Sequence, residues 1–96
     1  MSLLRRLFRL PANPRHGDPL PKEDASTDER TILDIARQRA ESEGLAWIEP
    51  IHAEYLHGSR GPVWLVTTNW MGRGHTVHVT IDDQTREVIG TRSLPR

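Results

Sequence analysis

The chain has 96 residues, 13 basic and 13 acidic side chains, no net charge and no cysteine, which allows one domain with one core. The missing cysteines exclude disulfide staples, thiolate nucleophiles and cysteine-ligated zinc or iron–sulfur centres. The even charge argues against a nucleic-acid partner, because phosphate neutralisation supplies most of that affinity and calls for a basic excess.

Residues 3–10 place Leu3, Leu4, Leu7, Phe8 and Leu10 near helical spacing, with Arg5, Arg6 and Arg9 between them. Two readings stay open: a basic amphipathic segment that touches a membrane surface, and a terminus that frays or folds back on its own domain. The arginines break the apolar run that a secretory signal needs, and no stretch approaches the roughly 20 apolar residues of a membrane span. A cytoplasmic protein is the expectation. Residues 11–25 hold Pro11, Pro14, Pro19 and Pro21 with Gly17 and read as an extended, mobile linker, because each proline removes an amide donor and steers its predecessor away from helix. The folded domain is therefore expected over residues 26–96, with residues 1–25 as a basic start and a linker.

Ser26-Thr27-Asp28-Glu29 has the form of a capping box, with the Ser26 hydroxyl on the Glu29 amide and the Glu29 carboxylate reaching back. A helix to about Glu43 follows, with Ile32, Leu33, Ile35, Ala36 and Ala40 as its apolar stripe. Gly44 suits the left-handed residue after the helix, and Leu45 can close that cap. Strands are expected over 51–57, 63–70, 75–82 and 86–92. In the third, Val77, Val79 and Ile81 alternate with Thr76, His78 and Thr80. Turns fall at Gly58–Pro62, Gly72–Gly74 and Asp82–Thr85. The fold class expected is α+β: one N-terminal helix packed on a four-stranded antiparallel sheet.

No catalytic set is legible. His75 and His78 lie three apart on a strand and point to opposite faces, as do His52 and His57, and no helical histidine pair supplements them. Asp82 and Asp83 read as turn-formers. Gly72-Arg73-Gly74 lacks the third glycine and the following helix of a phosphate loop. No cofactor and no metal is expected.

The three tryptophans carry more information. Trp64, among apolar neighbours, is expected in the core. Trp70, Met71 and Arg73 stand together before the reversal, a composition common in interface hot spots. With the neighbouring strand histidines they give a candidate partner-binding set: Trp70, Met71, Arg73, His75 and His78. The competing reading has Trp70 folded over the sheet edge and Arg73 merely solvated.

The stretch from Thr31 to Thr91 resembles PepSY-type domains. The likeness rests on the helix ending near Gly44, the Val63-Trp64-Leu65-Val66 strand and the closing hairpin Val77 to Ile89, in which Arg86 stands where the family has a turn glycine. The resemblance implies a binding or inhibitory module, in some relatives a peptidase-propeptide inhibitor, without catalytic residues. The architecture is also similar to small bacterial immunity proteins with cystatin-like or nuclear-transport-factor-like folds. The function expected is a small non-catalytic protein-binding module, inhibitory through occlusion of a partner such as a toxin or peptidase. A membrane-peripheral regulator held by residues 1–10 and a small ligand-binding domain are the alternatives, and an exposed edge strand allows a homodimer.

Overall fold

The structure, a computed structural model, describes residues 17–95. Its one α-helix, α1 (Glu29–Ser42), precedes strands β1 (His52–Gly58), β2 (Gly61–Thr67), β3 (Thr76–Asp82) and β4 (Val88–Leu94). The strands form one antiparallel sheet in the order β1-β2-β3-β4, and α1 lies across one face, chiefly over β3. The expected α+β class is the observed one.

The alternation of side chains sorts the sheet into two faces. Ala53 and Tyr55 of β1, Trp64 and Val66 of β2, and Val77, Val79 and Ile81 of β3 are buried with Ile32 and Ala36 of the helix. This is the core, and Trp64 is part of it as expected. His52, Thr67, His78 and Arg92 pair in one row across the opposite, outer face, and Glu54, Leu65, Thr80 and Gly90 in the next. No helix among the described residues covers that face, and none is long and apolar enough to cross a membrane.

Helix α1 stops as its sequence foretells. The Leu45 amide donates to the Ala40 carbonyl (2.8 Å) and the Gly44 amide to that of Glu41 (3.2 Å). Gly44 is left-handed at φ 71°, and Leu45 packs against the core. These two bonds and the apolar contact make the paired cap that glycine permits. The start differs from expectation. Asp28, not Ser26, caps the helix, accepting from the Thr31 amide (3.3 Å) and hydroxyl (2.7 Å). The capping box at Ser26 does not form: the Ser26 amide, which the Glu29 carboxylate would have to accept, donates with that of Thr27 to the carboxylate of Asp83, and the Glu29 carboxylate takes Lys22 instead.

Three boundaries also move. β2 ends at Thr67, short of the expected Trp70, because Asn69 turns left-handed (φ 52°). The reversal is consequently a longer loop, 68–75, rather than a tight turn at Gly72–Gly74. β4 begins at Val88, because Arg86 adopts φ 65° and its amide closes back on the Asp82 carbonyl (2.9 Å). Finally, the stretch read as a mobile linker is tied down from Gly17 onward. Gly17 and Leu20 donate to the carbonyls of His57 (2.7 Å) and Tyr55 (2.8 Å), and His57 donates to Asp18 (2.9 Å). Residues 17–20 thus cover the free edge of β1, where unpaired amides would invite foreign strands.

Candidate protein-binding loop

The two ends of the sheet are built differently. At one end, the β3–β4 turn sends Asp83 inward, where it is 1% exposed. Its Oδ1 accepts from the Thr27 amide (3.0 Å) and the Trp64 indole (3.0 Å). Its Oδ2 accepts from the Ser26 amide (2.7 Å) and the Tyr55 hydroxyl (3.0 Å), while its carbonyl takes the Thr27 hydroxyl (2.7 Å). Burial pushes this carboxyl up, but the donors from Ser26, Trp64, Thr27 and Tyr55 outweigh it and hold it below the usual carboxylate range. Burial and the same bond to Asp83 push the Tyr55 hydroxyl up to about 12. Every acceptor site of Asp83 is occupied by protein, so the group fastens the helix start to the sheet rather than facing a substrate. The turn-former reading is right for Asp82, whose Oδ1 accepts the Gln84 and Thr85 amides, and incomplete for its neighbour.

At the other end, loop 68–75 holds four of the five candidate residues. Its base is closed by Thr68 and Thr76: the Thr76 hydroxyl donates to the Thr68 carbonyl, and the Thr68 hydroxyl accepts from the Val77 amide (2.9 Å). Its interior is filled by Asn69, whose side-chain nitrogen donates to the carbonyls of Arg73 (2.6 Å) and His75 (3.1 Å). The Gly72 amide returns to the Asn69 carbonyl (3.0 Å). A Cβ on Gly72 would sit 1.9 Å from the Asn69 Oδ1, so only glycine allows this packing. The loop is also fastened to the segment before β1, with the Asn69 amide on the Ile48 carbonyl (2.6 Å) and the Trp70 amide on that of Pro50 (3.0 Å).

The result is an apolar display. Met71 is 82% exposed, Ile48 43% and Trp70 37%. The Trp70 ring stacks on His52, centroids 4.1 Å apart and planes 14° from parallel, and the His52 Nε2 lies 3.4 Å from a Glu54 oxygen. Met71 holds φ 62°, a conformation that disfavours any side chain with a Cβ. Trp70 thus leans on the sheet margin and leaves its other edge open. Arg73 and His75 are exposed on the far limb of the loop, contributing carbonyls to Asn69. His78 is not on the loop; it stands on the outer face of β3, in one row with His52. Ile48, His52 and Asn69 were not legible as members of this site. The available signal was Asn69 itself, since asparagine tolerates the left-handed region and bonds nearby backbone.

Other chemistry is sparse. Among the described residues no three histidine or carboxylate side chains group as a metal site. Among the described residues one hollow of about 450 Å³ lies between Leu33, Arg37 and Trp47, and others lie on the outer face. No family model, curated protein or solved structure matches the chain.

Proposed function

We propose that the chain is a small cytoplasmic, non-catalytic protein-binding module that inhibits a partner protein by occluding it, and that Met71, Trp70 and Ile48 make the central contact. The observation that carries this reading is Met71. A large apolar side chain is held in solvent on a left-handed backbone, by a loop that Asn69 and Gly72 pack from within. Backbone strain retained at an exposed position points to a selected surface rather than to stability. The same patch combines an aromatic and a methionine, the residue types enriched where interfaces bury their centre, and the loop's internal bonds lower the entropy lost on binding. Inhibition, in the manner of immunity proteins or of PepSY-type propeptides, is the form that needs no catalytic residue in this chain.

The test is a photo-cross-linking amino acid in place of Met71, with a second probe at Arg37 on the exposed side of α1 as reference. In native lysate the probe at 71 should give one discrete protein adduct that the probe at 37 does not give. Gly72→Ala, which cannot keep the Asn69 packing, should abolish it, and the purified chain should lower the activity of the protein so identified. Identical adducts from both positions, or an adduct indifferent to Gly72→Ala, would remove the loop from the reading.

A further inference from the structure

The outer face of the sheet carries a second apolar surface, at the end opposite loop 68–75. Leu56, Val63, Leu65 and Thr80 line a hollow of about 150 Å³ whose margin is Gly17. Val63 and Thr80 continue into a second hollow of about 370 Å³, bounded by Ile89, Asp82 and Glu87. Ile89, 59% exposed, widens this surface toward β4. An apolar strip on one face of a sheet otherwise lined by His52, Glu54 and Arg92 is a surface that gains by being covered.

We propose that its occupant is the chain's own N-terminal segment, residues 3–10. The path of the backbone argues for it. Residues 17–20 run antiparallel to β1, with Gly17 bonded to His57 near the β1–β2 turn and Leu20 to Tyr55 further back. The described backbone therefore stands at the turn end of β1 at Gly17, beside the nearer hollow. Gly17 is left-handed at φ 93° and itself lines the nearer hollow. Residues 11–16, at about 3.3 Å each when extended, reach roughly 20 Å, while crossing from that edge to β3 takes about 14 Å at the spacing of neighbouring strands. The chemistry matches as well. Leu3, Leu4, Leu7, Phe8 and Leu10 supply an apolar side, and Arg5, Arg6 and Arg9 would meet Asp82, Glu87 and Glu54 around the strip, against Arg60 as the one base in the larger hollow. This inference concerns the other end of the sheet from the proposed partner site, so the two stand or fall separately.

Because the chain has no cysteine, paired substitutions report proximity without background. In the full-length protein, Leu7→Cys with Thr80→Cys should oxidise to an intramolecular disulfide at least tenfold faster than Leu7→Cys with Gln38→Cys, which stands on the exposed side of α1. The rate should not change on dilution. Adding Arg5→Glu, Arg6→Glu and Arg9→Glu should slow it several-fold while leaving the melting of the reduced protein in place. Equal rates for the two pairs would overturn the proposal. So would a disulfide formed only between copies, which would assign the face to a second molecule, and so would equal rates in a protein whose residues 3–10 carry it onto anionic vesicles in flotation, which would assign the segment to lipid.

Discussion

Replacing Asp83 by alanine removes the acceptor for four donors at once, and the geometry sets the scale of the loss. Three of those donors, the Thr27 amide, the Tyr55 hydroxyl and the Trp64 indole, belong to residues no more than 5% exposed. The fourth, the Ser26 amide, sits where water can take over. Each buried donor left without a partner costs about 1–3 kcal/mol. Some water entering the vacated space reduces the sum, so Asp83→Ala should cost on the order of 3–5 kcal/mol, as for a buried charged partner removed. A domain this small has a total stability near the lower part of the usual range of about 5–15 kcal/mol, so the variant should be substantially unfolded at room temperature. Asp83→Asn is the informative comparison. Its oxygen can keep the Thr27 and Trp64 bonds, and its amide can donate to a rotated Tyr55 hydroxyl, leaving only the Ser26 amide opposed; the cost should be about 1–2 kcal/mol. Urea denaturation followed by tryptophan fluorescence measures both. The order wild type, Asn, Ala with these gaps is expected. An alanine variant within about 1 kcal/mol of wild type would show that the four bonds are no better than those to water.

The same network fixes two limbs of the pH profile. The folded-state pKa of Asp83 lies below its unfolded value, so its contribution is complete above about pH 4, the usual aspartate value, and is lost as pH falls through the folded value. The gap between wild type and Asp83→Asn should be constant at neutral pH and close in acid. Tyr55 shifts the other way, up to about 12. Its contribution is complete below about pH 10, the usual tyrosine value, and is lost as pH rises through about 12. Tyr55→Phe should cost about 1–2 kcal/mol at neutral pH and flatten the alkaline limb in the same titration. Trp64→Ala should cost about 3–5 kcal/mol by urea denaturation, as for a fully buried aromatic, while Arg73→Ala should stay within about 0.5 kcal/mol. Met71→Gly should leave the melting temperature nearly unchanged, because relief of about 1 kcal/mol of left-handed strain offsets glycine's entropic cost; a large loss would mean that Met71 packs rather than displays.

What the sequence disclosed followed the strength of the local signal. The β3 alternation and the Gly44–Leu45 cap are short-range patterns, and both are realised with the expected residues. Ser26 was misleading for a reason no local pattern carries: the acceptor that takes its amide in place of the Glu29 carboxylate is 57 positions away. Asp82 and Asp83 look alike in sequence, yet one faces the turn and the other the core, because successive side chains leave a strand on opposite sides. The prolines at 19 and 21 concealed an edge pairing, since the bonds run through Gly17, Asp18 and Leu20, which keep their donors and acceptors. Trp70, Met71, Arg73 and His75 were grouped because they are neighbours in the chain. His52 and Ile48 escaped, because a hydrogen-bonded ladder and a ring stack bring them in from outside the loop.

The separation of the two ends of the sheet has a consequence for how this domain can vary. β2 joins them: Pro62, at its start, bonds the Asp83 amide, and Trp64 reaches the Asp83 carboxylate, while Asn69 follows just beyond its end. Five to seven residues of extended chain put about 17–23 Å between these points, far enough that substitutions at one end should add independently to those at the other. The acceptors of the Asp83 carboxylate are taken up by this chain's own donors, and the Asn69 loop is tied by bonds outside the core. Trp70 and Met71 can therefore be exchanged without unfolding the protein, provided Asn69 and Gly72 stay. A double-mutant cycle between Asp83→Asn and Met71→Gly should give a coupling energy below about 0.5 kcal/mol in urea denaturation. A larger coupling would mean that the loop's strain is borne by the core, and the argument that Met71 is held for recognition alone would fail.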